Sequence, residues 1–221
     1  LQIAGGADRL PVGTVVTLGA AATGGVLDLN GQNQTIGGLS SAGSGVNRVV
    51  NGGGGTPNLT VNLAAGTSTF GGILGNAAQD SFNLIKNGGG TLVLTGTNTF
   101  TGSTTINGGV LTIGADAALG TAPGAFVANQ ITIANNATLR TTTGFTLNPN
   151  RGITLGAGGG TLDINGGVTY AGTFAGGTSL TKVGAGDLIL TNNAVLSAPG
   201  TTNINAGRIF FTSQNAIGAG V

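Results

Sequence analysis

The sequence predicts an all-β chain wound as a right-handed parallel β-helix, a β-solenoid of roughly ten rungs. Three observations predict it. Short β-type runs recur along all 221 residues, glycine and asparagine punctuate them, and long stretches repeat at offsets of 96 and 98 residues.

The runs are VVTL (15–18), VLDLN (26–30), LTVNL (59–63), TLVLTG (91–96), VLTIG (110–114), ITIA (131–134), ITLG (153–156), TLDIN (161–165) and DLILTN (187–192). Each alternates or runs apolar over four to six residues and then meets Gly or Asn, residues that tolerate positive φ. Helical periodicity is missing, and Gly, Thr and Asn are poor helix formers.

Composition agrees with a packed but uncharged chain. Gly supplies 46 residues, hydrophobic residues reach 39% and charged residues only 6%. Low hydrophobicity with high charge would have meant disorder, and the opposite balance holds here. A collagen helix is excluded, because the glycines lack a three-residue period and there are only 5 Pro. The absence of Cys excludes a disulfide framework.

Repetition selects the kind of β fold. LIKNGGGTLVLTGTNTF (84–100) lies over LTKVGAGDLILTNNAVL (180–196), pairing Lys86 with Lys182, Leu92 with Leu188 and Leu94 with Leu190. TTINGGVLTIGADAALG (104–120) then matches TTNINAGRIFFTSQNAIG (201–218), with Asn107 on Asn205 and Leu119 on Ile217. GVLDLNG (25–31) echoes GTLDING (160–166), and LQIAGGADRLP (1–11) resembles LTIGADAALG (111–120).

Unequal spacings between equivalent residues follow the same logic. Leu10 to Asp28 spans 18 residues against 44 from Leu119 to Asp163, and Asp28 to Lys86 spans 58 against 19 from Asp163 to Lys182. The differences approach one and two rungs of roughly 20 residues each. Whole rungs are gained or lost without harm where each contacts only its neighbours, unlike the strands of a closed barrel. We therefore expect residues 1–221 to be one continuous solenoid segment of a longer array, with repeat-like modules near 1–120 and 121–221.

Within a rung, one set of aliphatic side chains faces a narrow core. Leu27, Leu29, Leu92, Leu94, Leu162, Ile164, Leu188 and Leu190 are the expected inward residues. Asn30, Asn107, Asn165 and Asn205 are expected at corners, stacked in ladders that satisfy turn backbone groups. The glycine runs at 51–55 and 156–160 read as corners, since no Gly-Lys-Ser/Thr follows to make a phosphate loop.

The stretch NGGGTLVLTGTNTFTGSTTINGGVLTIGADAALG resembles the autotransporter-associated β-strand repeat of bacterial surface-protein passengers. The pattern is K-x-G-x-G-x-L-x-L followed by T-x-I-N-G-G-x-L, and it occurs twice. The segment 10–39 resembles the stretch that follows such repeats. The second copy departs from the first: it carries TNNAVLSAPG (191–200) in place of TNTFTG, and Ala206 where the first has Gly108. The resemblance implies a right-handed β-helix passenger, exported through a separate C-terminal barrel and displayed at the bacterial cell surface.

Candidate chemistry is sparse. Acid–base catalysis needs paired carboxylates or a basic partner at reaction distance, and the only acids are Asp8, Asp28, Asp80, Asp116, Asp163 and Asp187, thinly spread. Asp28 and Asp163 occupy equivalent slots between inward aliphatics, which points them outward as solvated strand residues. GAGDLIL (184–190) suggests a Gly-Asp calcium turn, but Asp187 aligns with Thr91, which cannot supply the carboxylate. A Ser-His-Asp triad is impossible without His, and transition-metal ligation lacks both His and Cys.

Lys86 and Lys182 recur at one motif position. They read as outward lysines with stems over the rung, against the alternative of an intramolecular crosslink or a ligand contact. Phe70, Phe82, Phe100, Phe126, Phe145, Phe174, Phe210, Phe211 and Tyr170 read as core stacks or loop plugs, with a glycan-binding strip as the alternative. Asn33, Asn58 and Asn136 lie in N-x-T sequons, which matter only in a glycosylating pathway. No catalytic, cofactor-binding or metal-ligating residue is assigned, and no cofactor is expected.

The basic residues Arg9, Arg48, Lys86, Arg140, Arg151, Lys182 and Arg208 stand singly, so no nucleic-acid partner is expected. The sequence reading is an extracellular structural fibre or stalk segment. Its expected partners are adjacent repeats or other copies, end to end, with a membrane reached only through a separate barrel or anchor. An adhesive passenger that binds a glycan or cell surface is the alternative, and a β-helix polysaccharide-degrading enzyme the less favoured one.

Overall fold

A computed structural model describes residues 1–76, 80–191, 194–196 and 200–212. They fall into two compact units, one of residues 1–104 with 117–121 and the other of 105–116 with the chain from 122 onward. In the first unit the strands are β1 (Val15–Leu18), β2 (Val26–Asp28), β3 (Gln34–Ile36), β4 (Gly38–Ser41), β5 (Arg48–Val50), β6 (Asn58–Asn62), β7 (Thr67–Phe70), β8 (Ile73–Leu74), β9 (Asn83–Asn87) and β10 (Thr91–Leu94).

The chain continues with β11 (Thr104–Ile106), β12 (Val110–Ile113), a 3₁₀ turn (Asp116–Leu119), β13 (Val127–Ile133), β14 (Ala137–Thr141), β15 (Phe145–Leu147), β16 (Arg151–Leu155) and β17 (Gly160–Ile164). It ends with β18 (Val168–Tyr170), β19 (Thr173–Ala175), β20 (Leu180–Val183), β21 (Leu188–Leu190), β22 (Val195–Leu196), β23 (Thr202–Ile204) and β24 (Ile209–Phe211).

The fold is a parallel β-solenoid. In the first unit β3, β6 and β9 stack in order, as do β2, β5 and β8, while β1 lies on β4 and β7 on β10. In the second unit the chain visits three sheets in strict rotation. These are β11-β13-β16-β19-β22, β12-β14-β17-β20-β23 and β15-β18-β21-β24, all paired parallel where register is defined. The antiparallel exception among the described residues is the isolated bridge Ala20–Thr23.

Among the described residues one sheet takes β3, β6, β9, β11, β13, β16, β19 and β22, which gives about eight turns, slightly fewer than the roughly ten expected. Turns run from the assumed length to several residues more. Register partners lie 20 residues apart at Thr161–Thr181 and 28 apart at Val110–Thr138.

Parallel stacking puts like positions above one another, and the inward column is apolar for that reason. All eight residues expected inside are at most 5% exposed. Leu139, Leu162, Lys182 and Ile204 form one in-register column, and Leu147, Tyr170, Leu190 and Phe211 another. Each fully buried Leu or Ile contributes roughly 1.5–3 kcal/mol of transfer free energy. Rings fill the wider parts of the core: Phe82 stacks on Phe100 at 5.3 Å, and Tyr170 meets Phe174 edge-on at 5.3 Å. A small apolar cavity of about 20 Å³ remains in the second unit, bounded by Thr141, Phe145, Leu162 and Tyr170 among others.

The repeated sequence is not superposed side on side. β12 and β24 are equivalent in sequence, 98 residues apart at Leu111 and Ile209. Yet β12 belongs to the sheet of β14, β17, β20 and β23, whereas β24 belongs to that of β15, β18 and β21. The offset is four turns plus one side.

Candidate functional site

The two lysines of the motif lie inside, and the six aspartates bind one turn to another. Lys86 in β9 and Lys182 in β20 are both 0% exposed, which overturns their reading as outward lysines. Alternation in each strand puts them inside: Lys86 shares its face with Leu84, and Lys182 shares its face with Leu180. The stem fills the apolar column, and the ammonium reaches the corner that follows.

There Lys86 Nζ donates to the carbonyls of Asn87 and Gly88, both at 2.8 Å. Lys182 Nζ donates to Val183 at 2.7 Å, to Gly184 at 2.8 Å and to Ala206 of the next turn at 3.0 Å. Gly88 and Gly184 have φ of +74° and +79°, and this left-handed turn is where the accepting carbonyls lie. Burial pushes the Lys86 ammonium down to about 8 and moves that of Lys182 in the same direction.

All six aspartates bind across turns. Asp8 Oδ1 accepts the Thr35 N–H, and Asp28 Oδ1 accepts those of Asn30 and Gly52. Asp80, 5% exposed, accepts the Asn51 N–H at 3.0 Å. Asp116 accepts Arg151 Nε at 2.9 Å and the Asn148 N–H at 3.0 Å. Asp163 accepts Arg140 Nε at 2.6 Å, and Asp187 accepts Arg208 Nη2 at 2.8 Å.

Their titration follows these contacts. Burial works to raise the Asp28 carboxyl, but the Gly52 and Asn30 N–H groups outweigh it and hold the group below the usual range. Burial raises Asp80. The hydrogen bond from Arg208 lowers Asp187. Asp28 and Asp163 do face outward as expected, but each is engaged rather than merely solvated. Asp187 is paired to a guanidinium, which is not the environment of a calcium turn.

Asparagines form ladders, though not the expected ones. The N–H of Asn58 donates to Asn33 Oδ1 at 2.7 Å, Asn83 Nδ2 donates to Asn58 Oδ1 at 3.0 Å, and the Ser103 N–H donates to Asn83 Oδ1 at 2.9 Å. Asn47, Asn51 and Asn98, all buried, satisfy corner backbone groups such as the N–H of Gly25, Gly31 and Leu74. Of the residues expected in ladders, Asn30 holds a positive φ and reaches the Ile3 carbonyl, Asn107 is half-buried, and Asn165 and Asn205 are exposed. An outer corner leaves such side chains in water, where a ladder gains little. The alignment of Leu119 with Ile217 lies outside the described residues.

The aromatics do not make a strip. Phe70, Phe82, Phe100, Phe174 and Tyr170 are completely buried, Phe145 is half-buried, and Phe126, Phe210 and Phe211 are exposed. An open groove of about 410 Å³ in the first unit is bordered by Ser41, Ser44, Asn47 and the backbone of Gly71 and Gly72. Among the described residues no group of three or more His, Cys, Asp or Glu gathers to hold a metal ion.

A parallel solenoid whose six aspartates and several asparagines bond across turns belongs to the class of β-solenoid repeat proteins. Residues 84–113 and 180–209, the two copies of the lysine-bearing motif, each match the family model of the passenger-associated-transport-repeat. Each copy contains one of the two buried lysines. No curated protein and no solved structure matches the chain significantly.

Proposed function

We propose that this chain is a structural stalk or fibre segment of a passenger displayed at the bacterial cell surface, its end turns stacking on further turns. The observation that carries the reading is the use of all six carboxylates to bind one turn to another. A carboxylate committed in this way supports winding and leaves little freedom for acid–base work.

The inward columns run on to the last described turn. Ile204 and Phe211 continue inward columns in which Lys182 and Leu190 are 0% exposed, yet they are themselves 52% and 39% exposed. Open strand edges with apolar columns favour another parallel turn as occupant.

Electron microscopy of the chain at increasing concentration tests the reading. Thin rods that lengthen with concentration, and shorten with Ile204→Lys, are expected. Discrete globular particles at every concentration would overturn it.

A further inference from the structure

We propose that Lys86 and Lys182 are register locks, buried cations that admit only one alignment of their strand with its neighbouring turns. The apolar pattern alone cannot impose that alignment. Inward residues recur every second position, so a two-residue slide of β20 that sets Leu180 on Leu162 would still oppose aliphatic residues on the inward face of β17, which carries Leu162 and Ile164. A slide by one residue exchanges inside and outside, which burial already forbids.

The two-residue slide is the dangerous one, and the lysine makes it costly. Lys182 lies between Leu162 and Ile204 in its column. Moved two places along, its ammonium would lose the Ala206 carbonyl of the next turn, and Gly184, whose left-handed φ shapes the local acceptors at Val183 and Gly184, would leave the corner, so the charge would lack the partners that make its burial tolerable. An unpaired buried charge is among the most unfavourable groups a core can hold.

Two features tie the cation to its corner. The glycine two residues on has the left-handed φ that this corner takes, so Lys-x-Gly is a unit of cation and carbonyl cage. The third acceptor of Lys182 belongs to Ala206, on the following turn, so the full cage exists only when that turn has wound into place. Lys86 repeats the local part of this geometry in β9, beside Val61 in the column, with the carbonyls of Asn87 and Gly88 as acceptors and Gly88 as the corner glycine. Buried polar groups that fix alignment while adding little stability are known from helical cores, and the same logic applies to a stack of strands.

The test uses the whole chain with Thr181→Cys and Asn203→Cys, register partners on the outer face of β20 and β23, or with Thr181→Cys and Asn205→Cys. In the otherwise unchanged chain only the 181–203 pair should oxidise. With Lys182→Met added, which keeps the stem but removes the cation, the 181–205 pair should also form in roughly 10% of molecules or more, the range of a populated minor state. Exchanging the whole unit, Leu180→Lys with Lys182→Gly so that a glycine again stands two residues after the lysine, should make 181–205 the dominant pair. A Lys182→Met chain that is unfolded, or that oxidises only at 181–203, would overturn the proposal. So would an exchanged chain that folds with 181–203 intact, since the lysine would then be only a packing and stability element.

Discussion

Arg151 is completely buried, and its Nε lies 2.9 Å from Oδ1 of Asp116, 35 residues earlier in the chain. The same carboxylate takes the Asn148 N–H, and the Arg151 carbonyl accepts the Tyr170 hydroxyl at 2.7 Å. Three turns of the second unit are thus joined through one guanidinium-bearing residue.

Removing the anion leaves that guanidinium buried and uncompensated. Asp116→Ala should cost about 3–5 kcal/mol, whereas Arg151→Met, which removes the buried charge itself, should cost clearly less. Urea unfolding midpoints of the two variants measure the difference. Asp187→Ala is the control. Its partner Arg208 is 68% exposed, and the midpoint should hardly move.

Stability should rise between pH 8 and pH 10. Lys86 in the folded chain loses its proton near 8, while in the unfolded chain it keeps it up to its ordinary 10.5, so the unfolded state binds more protons across that window. Lys182 acts in the same direction. Tyr170 opposes them from about pH 10 upward, because burial raises its phenol and only the unfolded chain ionises there. Denaturant midpoints should therefore climb from pH 8, then fall again. In a chain carrying Lys86→Met and Lys182→Met the climb should vanish.

Thr141 contributes a buried hydroxyl without a hydrogen-bond partner to the wall of the small apolar cavity. Thr141→Val replaces it with a methyl of similar shape and should stabilise the chain by about 1 kcal/mol. Thermal unfolding of the two proteins compares them directly. A loss of stability would mean that the hydroxyl is satisfied in solution.

Gly88→Ala and Gly184→Ala should each be severely destabilising. A Cβ at Gly184 would lie 2.4 Å from the Ile164 carbonyl oxygen, and one at Gly88 would lie 2.3 Å from that of Leu63. Positive φ adds strain to the overlap, for a total of roughly 2 kcal/mol or more. Protease resistance at fixed temperature gives a simple assay, with Gly54→Ala, whose added Cβ meets open space, as the tolerated control.

Much of the winding was legible because it rests on alternation. Leu92 and Leu94, or Leu188 and Leu190, announce an inward face through their two-residue spacing, and the structure buries all four. The lysines were misplaced although that signal was present. Leu84-Ile85-Lys86 and Leu180-Thr181-Lys182 put each cation at the parity of a buried leucine. Charge argues for an outward position and parity for an inward one, and the carbonyls that make burial tolerable come from backbone that no side-chain pattern displays.

The Asn33–Asn58–Asn83 ladder was also visible, as two equal intervals of 25 residues, but its first two members read as sequons. The aspartate contacts could not be read. Asp116 and Arg151 are separated by β13, β14 and β15, an interval of 35 residues that matches no repeat offset, so their meeting depends on the register of turns that the sequence leaves open.

The one-side displacement between β12 and β24 has a consequence for how such a chain meets its surroundings. Equivalent stretches of the motif point to different compass bearings about the winding axis. If successive copies kept this increment, like surfaces would ascend as a spiral staircase and return to the first bearing after three copies. Decoration carried by the motif would then encircle the molecule and favour no single flank.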